Sequence, residues 1–498
     1  MNISLVLQMA ADTFPDRIAL TNGSDHYGYG RLYASAQAAA AQIAASGADY
    51  VGYLGESSPA TVIALFGAAL AGKPFAPLNY RLTVTETNRL IERLKPVFLI
   101  ADQDKLATIP DGAARVLQSA TDFLANVTTD EQRDWEAPQD EEGVAVQLFT
   151  SGTTGEPKAA LLRHQNMLGY ILGTVEFCSA EEDEATLVSV PPYHIAGMSA
   201  VLSSIYAMRR IVQLPQFSPA EWIQRCAEQG VTSAFVVPTM LTRIIAHIDE
   251  TGQPPRFEGL RSLAFGGGKM PLPVVQRALD LFPHVAFTNA YGLTETSSTI
   301  ALLGPEDHRT AHGNPDPLVS RRLDSVGKPL PTVEVEIRDE DGRVVGPNEL
   351  GEVFVRGPQV SGEYQGRKLT DEEGWFPTRD SGFLDDEGFL FLAGRIDDVI
   401  VRGGENISPG EIEAVLREVE GVADVAVVGV PSVEWGETVA AAIVRAAGSD
   451  VGADELRDLV RRKLRSSRVP EHLQFVDALP YNEMGKLLRR NVKALFPA

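Results

Sequence analysis

The chain has 498 residues, of which 44% are hydrophobic, so it is long enough for several layers of structure and for more than one domain. Its formal net charge of -23 argues against a nucleic-acid backbone or an anionic membrane surface as a general partner, and favours small-molecule substrates. Cys178 and Cys226 form neither a disulfide framework nor a metal-binding spacing, and the N-terminus lacks a basic signal region. We therefore expect a globular cytoplasmic protein without a membrane span.

The first two thirds of the chain have an α/β pattern. Alanine-rich helical segments alternate with short apolar runs through residues 35–100, which predicts helices flanking mostly parallel strands. Residues 144–149 predict a strand, and a second α/β run covers residues 211–283. Short β-like segments at 333–337 and 351–356 then predict a smaller β unit.

The last hundred residues predict a separate compact unit. A helix is expected to begin with Ser408 as N-cap and Pro409 at its first position. Residues 423–430 predict a buried strand, and residues 456–464 predict an amphipathic helix with a basic, solvated face. These elements favour a small α+β unit.

A glycine- and hydroxyl-rich loop follows the strand predicted at residues 144–149. It spans residues 148–158, and Gly152 and Gly155 allow backbone amides to approach a phosphate closely while Lys158 adds a positive charge. The spacing differs from that of a Walker loop, in which the lysine directly follows the last glycine. The loop alone is equally compatible with polyphosphate binding and with a polar turn between two strands.

An ordered set of further motifs resolves this ambiguity. The motifs are Pro191-Pro192-Tyr193-His194, Asn289-Ala290-Tyr291-Gly292-Leu293-Thr294-Glu295, Trp375-Phe376-Pro377-Thr378-Arg379-Asp380, Gly394-Arg395-Ile396-Asp397, Gly403-Gly404-Glu405-Asn406 and Met484-Gly485-Lys486. Together with the loop, they resemble the acyl-adenylate-forming superfamily of acyl-CoA synthetases, luciferases and nonribosomal adenylation domains. The resemblance covers nearly the whole chain and implies an ATP-dependent acid:CoA ligase.

The resemblance also implies the architecture. The fold class is α/β, with a large N-terminal domain of mixed sheets layered with helices plus a β unit. A small, mobile α+β domain follows it. The implied boundaries are residues 1–396 and 397–498, with Asp397 as the hinge.

The resemblance assigns residues to ATP, to Mg²⁺ and to catalysis. The residues implied to bind ATP or AMP are Thr150, Ser151, Gly152, Thr153, Thr154, Lys158, Gly266, Gly267, Gly268, Asn289, Ala290, Tyr291, Gly292, Asp380 and Arg395. Glu295 is the implied Mg²⁺ ligand, since this hard cation prefers oxygen donors. The implied catalytic residues are Lys486, Thr294, Glu295 and His194. Lys486 would stabilise the charge that shifts when a carboxylate attacks the α-phosphorus.

Coenzyme A is the implied co-substrate of a second half-reaction, which follows rotation of the small domain about Asp397. Gly403 and Gly404 would line the pantetheine passage, because glycine adds no side chain. Trp435 either flanks this passage or belongs to a core. Arg468 either contacts the phosphates of coenzyme A or is part of a solvated basic face.

His194, Phe235, Gly266 and Ala290 are the implied walls of the acyl pocket. Gly266, Gly267 and Gly268 in succession leave room for a ring or a long chain. Residues 291–300 contain no arginine, which disfavours a second carboxylate on the substrate. We therefore expect an aromatic, benzoate-like or hydroxycinnamate-like, or medium-chain monocarboxylic acid.

One residue departs from the family pattern. The family usually has Thr-Gly-Asp where this chain has Thr378-Arg379-Asp380, so the local turn is expected to differ. Three alternatives stay open: a stand-alone enzyme that loads a carrier protein, a catalytically inactive nucleotide-binding relative, and a luciferase-like oxidative enzyme. The sequence also leaves open whether the chain forms a homodimer.

Overall fold

A computed structural model of the chain describes residues 1–150, 157–252, 259–403, 405–482 and 485–496. The chain divides into two compact units. Unit 1 contains Met1–Leu323, Pro329–Glu334 and Arg356–Phe376. Unit 2 contains Asp324–Lys328, Val335–Val355 and Pro377–Ala498. The predicted domain boundary at residues 396 and 397 stays a prediction.

The helices and strands alternate along the chain. Up to residue 303 they are α1 (Ser4–Thr13), β1 (Ile18–Asn22), β2 (Asp25–Gly28), α2 (Tyr29–Ser46), β3 (Tyr50–Leu54), α3 (Pro59–Leu70), β4 (Phe75–Pro77), α4 (Val84–Arg93), β5 (Val97–Ala101), α5 (Gln103–Leu106), β6 (Val116–Ser119), α6 (Ala120–Val127), β7 (Val144–Thr150), β8 (Lys158–Arg163), α7 (His164–Thr174), β9 (Ala185–Val188), α8 (Ile195–Ala207), β10 (Arg210–Gln213), α9 (Pro219–Glu228), β11 (Ser233–Val236), α10 (Pro238–Thr251), β12 (Ser262–Gly266), α11 (Leu272–Leu281), β13 (Ala286–Leu293) and β14 (Ser298–Leu303). The remaining elements are α12 (Pro305–Ala311), α13 (Pro317–Ser320), β15 (Lys328–Pro329), β16 (Glu334–Arg338), β17 (Gly351–Arg356), β18 (Glu363–Tyr364), β19 (Arg367–Lys368), β20 (Phe376–Leu384), β21 (Leu390–Arg395), β22 (Ile400–Arg402), β23 (Glu405–Ile407), α14 (Pro409–Arg417), β24 (Val422–Ser432), β25 (Gly436–Arg445), α15 (Ala453–Lys463), β26 (His472–Phe475) and α16 (Arg489–Lys493).

Two large sheets organise unit 1. One runs in the order β14-β13-β12-β11-β9-β10-β1-β2, and the other in the order β19-β18-β8-β7-β4-β3-β5-β6. Most neighbouring strands in these sheets are parallel, because the connections between them pass through helices. The α/β layering predicted for this part of the chain is therefore confirmed, as is the strand predicted at residues 144–149.

The alanine-rich composition of α2 explains how tightly it packs on α3. A Cβ atom at Gly67 of α3 would lie 2.7 Å from the Cβ of Ala39 in α2, so the two backbones approach closely. Helix α3 is buried along its whole length and begins at Pro59, a residue whose fixed φ suits the first helical position. Small side chains thus allow a helix with almost no polar face to lie inside the unit.

Unit 2 contains two smaller sheets. Strands β16, β17, β20 and β21 form one of them in that order. The other has the order β23-β22-β25-β24, with β26 parallel to β25. Alternate residues of β24 belong to different cores: Val425 and Val427 face α14 and α15, whereas Ala426 and Val428 face the α16 side.

The elements predicted for the last hundred residues are confirmed, with one correction. Helix α14 begins at Pro409 as expected, but the Ser408 hydroxyl does not cap it. It donates instead to the carbonyl oxygen of Ala393 at 3.0 Å. Ser408 is therefore the N-cap residue by position, as predicted, but its side chain forms no capping hydrogen bond and contacts β21, which is distant in sequence. The predicted strand and second helix correspond to β24 and α15.

None of the helices in the described part of the chain is long and apolar enough to cross a membrane. Cys226 is buried and Cys178 is half-buried, and both are free thiols. The interpretation of both cysteines as ordinary core or boundary residues is therefore confirmed.

His164, the first residue of α7, is a buried titratable group that holds the N-terminal segment. Its side chain is 3% exposed, and its Nδ1 atom accepts a hydrogen bond from the Ile3 amide at 3.2 Å. Burial lowers the pKa of His164 to about 4. The native state therefore holds this imidazole neutral, and protonation of His164 opposes folding.

This depressed pKa predicts a specific loss of stability in mild acid. The unfolded chain binds a proton at a pKa of about 6.5 while the native state does not, so stability falls as pH drops between these two values. We expect His164 to reduce the free energy of unfolding by about 2 kcal/mol between pH 7.5 and pH 5. Urea unfolding of wild type and His164→Asn at both pH values measures this, since asparagine keeps an acceptor but does not titrate. An equal pH dependence in the two proteins would contradict the assignment.

Candidate active site

Four adjacent parallel strands of unit 1 bring the predicted pocket residues to one edge of a sheet. Strands β9, β11, β12 and β13 are neighbours in that order and run in the same direction, so their carboxyl ends meet at the same edge. The predicted site residues at or just after these ends are His194, Phe235, Gly266, Gly267, Gly268, Asn289, Ala290, Tyr291, Gly292, Thr294 and Glu295. The carboxyl ends of strands in open α/β sheets are where ligands bind.

Close approach of neighbouring backbone requires glycine at two positions of this edge. A Cβ atom at Gly266 would lie 2.1 Å from the carbonyl oxygen of Ala290, and one at Gly292 would lie 1.8 Å from that of Ser298. Gly266 is buried, whereas Gly267, with a φ of +82°, and Gly268 are exposed. The pairing of β12 with β13 therefore already requires a glycine at position 266. Its role in making room for the substrate stays a prediction.

His194 and Phe235 lie on neighbouring elements. His194 directly precedes α8, and its ring lies 4.5 Å from the ring of Tyr193. Phe235 of β11 lines a cavity together with Ala196 and Ala200 from the first turns of α8. Phe235 thus borders the same cavity as the first turns of the helix that His194 precedes.

The predicted phosphate loop is closed by a β-hairpin. Strands β7 and β8 are antiparallel, with Thr150 directly opposite Lys158. The Lys158 side chain is exposed, and its Nζ atom lies 5.7 Å from the centre of the Tyr364 ring. The predicted loop residues Ser151, Gly152, Thr153 and Thr154 lie outside the described residues. The structure therefore defines the two ends of the loop, Thr150 and Lys158.

Glu295 occupies a tight turn between β13 and β14. The turn is fixed by the buried Thr296 hydroxyl, which accepts from the Leu293 amide at 2.9 Å and lies 2.8 Å from the Ser298 carbonyl oxygen. The Glu295 carbonyl oxygen accepts hydrogen bonds from the amides of Ser361 and Gly362, at 2.9 and 3.0 Å. The backbone of this predicted metal ligand is therefore held from two sides.

Tyr364 is a site residue that the sequence reasoning missed. Its hydroxyl donates to Oε1 of Glu295, and its ring lies next to the Lys158 ammonium. Tyr364 also pairs with Ala160 of β8 through β18. It thus joins a predicted phosphate-binding residue to the predicted metal ligand. Tyr364 lies 69 residues from Glu295 in sequence, and no motif in the sequence signals this contact.

In unit 2, Asp380 and Arg395, two of the residues predicted to bind ATP or AMP, pair with each other. Asp380 and Arg395 lie opposite each other on β20 and β21, and the Arg395 guanidinium donates to Oδ1 of Asp380 at 3.0 Å. Asp380 is 7% exposed. Its backbone amide donates to the Thr378 hydroxyl at 3.1 Å, and that hydroxyl donates to the Val353 carbonyl oxygen at 2.8 Å. The acceptor is therefore present and oriented despite the unusual Thr-Arg-Asp sequence.

Arg379 explains how the chain accommodates this departure. Its φ is +62°, a left-handed conformation that glycine adopts readily and that is strained for arginine. The Arg379 guanidinium donates to Oδ1 of Asp397 at 2.7 Å and lies 3.6 Å from Oε1 of Glu352. The hydrogen bond to Asp397 raises the pKa of Arg379. The turn expected to differ therefore keeps a glycine-like backbone and gains an ion pair with the predicted hinge residue.

Asp397 lies in a short 3-10 helix, Ile396–Asp398, between β21 and β22. The next residue, Asp398, is 3.1 Å from the Arg489 guanidinium. Burial raises the pKa of Asp398, while the positive charges of Arg489, Arg395 and Lys486 oppose this shift.

Lys486 itself is exposed on a tight turn. Its backbone amide donates to Oδ1 of Asn482 at 2.8 Å, and its carbonyl oxygen accepts from the Asn482 amide at 2.9 Å. Gly485 has a φ of +72°, which the turn requires. The preceding motif residue, Met484, lies outside the described residues. This turn presents the lysine to solvent.

The residues predicted for coenzyme A divide into two groups. Gly403 and Trp435 touch, because a Cβ atom on Gly403 would lie 2.9 Å from the indole ring. Trp435 is 41% exposed, so the alternative of a core tryptophan was wrong. Arg468 pairs with Glu405 and lies 3.4 Å from Oε2 of Glu411, so two carboxylates already neutralise it. Gly404 lies outside the described residues.

Comparison with known proteins identifies the family. The sequence profile of the family described as AMP-binding enzyme matches residues 7–365, and that of the AMP-binding enzyme C-terminal domain matches residues 411–486. The chain therefore belongs to the AMP-binding enzyme family. The predicted acyl-adenylate-forming superfamily is confirmed.

Two relatives align with most of the chain. The chain is 33% identical to a feruloyl-CoA synthase of Amycolatopsis sp over 453 residues, which cover 90% of this chain and 89% of the relative. It is 34% identical to a 2-succinylbenzoate–CoA ligase of Geobacillus kaustophilus over 503 residues, with coverage of 99% and 97%.

A solved structure agrees with the fold. The o-succinylbenzoate CoA synthetase of Bacillus subtilis, in complex with its acyl-adenylate intermediate, has a TM-score of 0.82 and 30% identity, covering 98% of this chain and 97% of that one. The same enzyme in complex with ATP and magnesium ion has a TM-score of 0.81 and 30% identity, covering 98% and 99%. The predicted α/β fold class, with a large N-terminal domain and a smaller C-terminal domain, is confirmed.

The contact between Tyr364 and Glu295 predicts a selective effect of removing one hydroxyl. A hydrogen bond to a charged group contributes about 1.5 to 3 kcal/mol, so Tyr364→Phe should lower the thermal stability of the protein. It should also raise the Mg²⁺ concentration needed for half-maximal nucleotide binding, because Glu295 loses its orienting partner. A titration of Mg²⁺ at a fixed ATP concentration, monitored by calorimetry, measures this Mg²⁺ dependence. Lower stability with an unchanged Mg²⁺ dependence would show that Tyr364 does not position a metal ligand.

The conformation of Arg379 predicts an unusual order of stability among its variants. Arg379→Gly loses the ion pair, worth up to about 1 kcal/mol, but relieves a left-handed strain of similar size. Arg379→Ala loses the pair and keeps the strain. We therefore expect the glycine variant to be about 1 kcal/mol more stable than the alanine variant in denaturant unfolding. An alanine variant as stable as the glycine variant would contradict the strained backbone.

Proposed function

We propose that this protein is an ATP-dependent acid:CoA ligase that acts on an aromatic carboxylic acid. In the first half-reaction a carboxylate oxygen attacks the α-phosphorus of ATP, and the bond to pyrophosphate breaks to give acyl-AMP. In the second, the thiol sulfur of coenzyme A attacks the acyl carbon, AMP leaves and the thiol loses its proton. The relatives confirm the prediction of an AMP-forming acyl-CoA synthetase at the level of class.

The observation that carries this proposal is coverage at both ends of the chain. The 2-succinylbenzoate–CoA ligase aligns with 99% of it, so that resemblance includes the residues around Lys158, Glu295 and Lys486, and the feruloyl-CoA synthase aligns with 90%. The relatives are named for feruloyl-CoA and for 2-succinylbenzoate, and both of these compounds contain an aromatic ring. An aromatic substrate is therefore favoured over a medium-chain one.

The phosphate end of ATP is assigned to unit 1. Thr150, Lys158 and the loop between them hold the β- and γ-phosphates, and Thr294 contacts the α-phosphate. Tyr291, which is buried at the sheet edge, faces the adenine together with Asn289, Ala290 and Gly292. These roles suit the residues, because backbone amides, hydroxyls and a mobile ammonium are the groups that bind phosphate.

Magnesium is the implied metal, and Glu295 suits it. Mg²⁺ is usually held by one or two carboxylates together with substrate phosphates. Glu295 offers a carboxylate fixed by Tyr364 and by a rigid turn. When bound, the ion would neutralise phosphate charge. Glu295 would hold it.

Residues of unit 2 are assigned to the ribose and to the charge that shifts during adenylation. The Asp380 carboxylate accepts hydrogen bonds from the ribose hydroxyls, with Arg395 orienting it. Lys486 approaches the reacting carboxylate and the α-phosphate. No general base is needed, because a carboxylic acid with a pKa near 4 is ionised at neutral pH. His194 and Phe235 form the acyl pocket.

The second half-reaction uses a different face of unit 2. Gly403 and Trp435 line the passage for the pantetheine thiol, and Asp397 is the hinge about which a domain comprising residues 397–498 turns. The partially exposed indole ring suits this role, since it offers an apolar surface. The carboxylates around Arg468 make it a weaker candidate for the coenzyme A phosphates. The expected partners are a carboxylic acid, ATP and coenzyme A. The expected location of the protein is the cytoplasm.

The experiment that tests this function is pyrophosphate release with ATP and Mg²⁺ across benzoates, hydroxycinnamates and straight-chain acids, each with and without coenzyme A. We expect sustained turnover that depends on coenzyme A, and greatest for an aromatic acid. Lys486→Ala is the matched control, which should reduce adenylation on the order of 100-fold or more because it removes a group that stabilises the transition state.

The outcomes of this experiment separate the alternatives. Pyrophosphate release that is insensitive to coenzyme A but stimulated by a phosphopantetheinylated carrier protein would replace the proposal with carrier loading. Full adenylation by Lys486→Ala would refute the role of the lysine. Absence of pyrophosphate release with every acid would favour an inactive relative.

A further inference from the structure

A cation-lined pocket lies beside the hairpin that closes the predicted phosphate loop. It has a volume of about 460 Å³ and is bounded by the C-terminal end of α4, the start of β8 and the hairpin β18–β19. Its side walls include Arg93, Lys158 and Arg367, with Tyr364 and Gln365 between them. A pocket of this size accommodates a diphosphate group and its water shell.

The charge of this pocket is opposite to that of the chain. The whole protein carries a formal charge of -23, yet the described lining residues comprise three cations and no acidic side chain. A concave surface with one sign of charge concentrates ions of the opposite sign. Arg93, Lys158 and Arg367 form no ion pair with a carboxylate among the described residues, in contrast to Arg468 of unit 2.

Two of the cations are held by their surroundings. Arg93 donates to the carbonyl oxygen of Pro157 at 2.6 Å and lies 5.0 Å from the centre of the Phe149 ring. Lys158 lies over the ring of Tyr364. A guanidinium has five N–H donors, so Arg93 retains donors for an anion after making these contacts.

The third cation, Arg367, projects from the hairpin with a defined orientation. Strand β19 pairs with β18 so that Arg367 lies directly opposite Tyr364, and Lys368 lies opposite Glu363. Side chains alternate between the two faces of a strand, so Arg367 shares the pocket face with Tyr364 and Lys368 lies on the other face. Both cations are exposed, which makes Lys368 a matched control for Arg367.

The pocket is connected to the residues assigned to the phosphates of ATP. Lys158 belongs to both, and Tyr364 contacts the pocket with its ring and Glu295 with its hydroxyl. We propose that this pocket binds a diphosphate group of a substrate, with Arg93 and Arg367 as anion-binding residues in addition to Lys158. The proposal rests on the ligase function. The diphosphate is either the β,γ end of ATP, which leaves as pyrophosphate, or the diphosphate of coenzyme A.

The test compares Arg367→Gln with Lys368→Gln by calorimetric titration of pyrophosphate with Mg²⁺ and, separately, of coenzyme A. Each variant removes one positive charge from the same two-residue strand. We expect Arg367→Gln to raise the Kd of one of these ligands about five-fold, the effect of losing about 1 kcal/mol of charge interaction. Lys368→Gln should bind both ligands as wild type does, and Arg367→Lys should retain most of the affinity.

The ligand whose affinity changes identifies the source of the diphosphate. A weaker affinity for pyrophosphate alone assigns the pocket to the end of ATP, and a weaker affinity for coenzyme A alone assigns it to the second substrate. The affected affinity should also be less sensitive to salt in Arg367→Gln than in wild type. Equal changes in Arg367→Gln and Lys368→Gln, or no change for either ligand, would overturn the proposal.

The ligase proposal and the diphosphate-binding proposal can be refuted separately, because direct titration of a ligand does not require turnover. If no acid supports pyrophosphate release while Arg367→Gln still binds pyrophosphate more weakly than Lys368→Gln does, the pocket stands and the reaction is a different one. If turnover is normal and binding is unaffected by Arg367→Gln, the function stands and the pocket does not bind diphosphate.

Discussion

Backbone hydrogen bonding between the parallel strands β9, β11, β12 and β13 is the constraint on which the candidate site of unit 1 depends. Because the strands share one direction, residues that are distant in sequence follow the same edge of the sheet. This arrangement places the motifs around His194, Gly266 and Glu295 together. The same hydrogen bonding restricts composition, since Gly266 faces a carbonyl oxygen at a distance that excludes any side chain.

Charge is distributed differently in the two units. In unit 2, Arg395 pairs with Asp380, Arg379 with Asp397, and Arg489 with Glu413 and Asp398. These pairs fix the orientation of the residues assigned to ribose and to the hinge. In unit 1, the cations beside the phosphate loop line a pocket without acidic side chains among the described residues. A surface of this kind favours an incoming anion, whereas the paired cations of unit 2 mainly stabilise the protein's own conformation.

Arg379 illustrates why a departure from a family pattern needs a structure to interpret it. The substitution of arginine for glycine in Thr378-Arg379-Asp380 suggests damage to the turn or loss of activity. The backbone nevertheless keeps a positive φ, and the side chain forms an ion pair with Asp397. Asp380 keeps its hydrogen-bond partners. The departure is therefore accommodated locally.

The sequence by itself determined the superfamily, because its ordered motifs resemble those of a known family, and it determined the α/β class through the alternation of helical segments and apolar runs. Helix α14 and strands β7, β16, β17 and β24 were also predictable, since hydrophobic periodicity and proline position are local properties. Only the tertiary structure decided which distant residues meet. The contact of Tyr364 with Glu295, the placement of Arg93 beside Arg367, the bond from Ser408 to β21 and the exposure of Trp435 all depend on strand pairing and packing between segments far apart in sequence. Local patterns carry no information about such pairings, because many registers are compatible with the same periodicity.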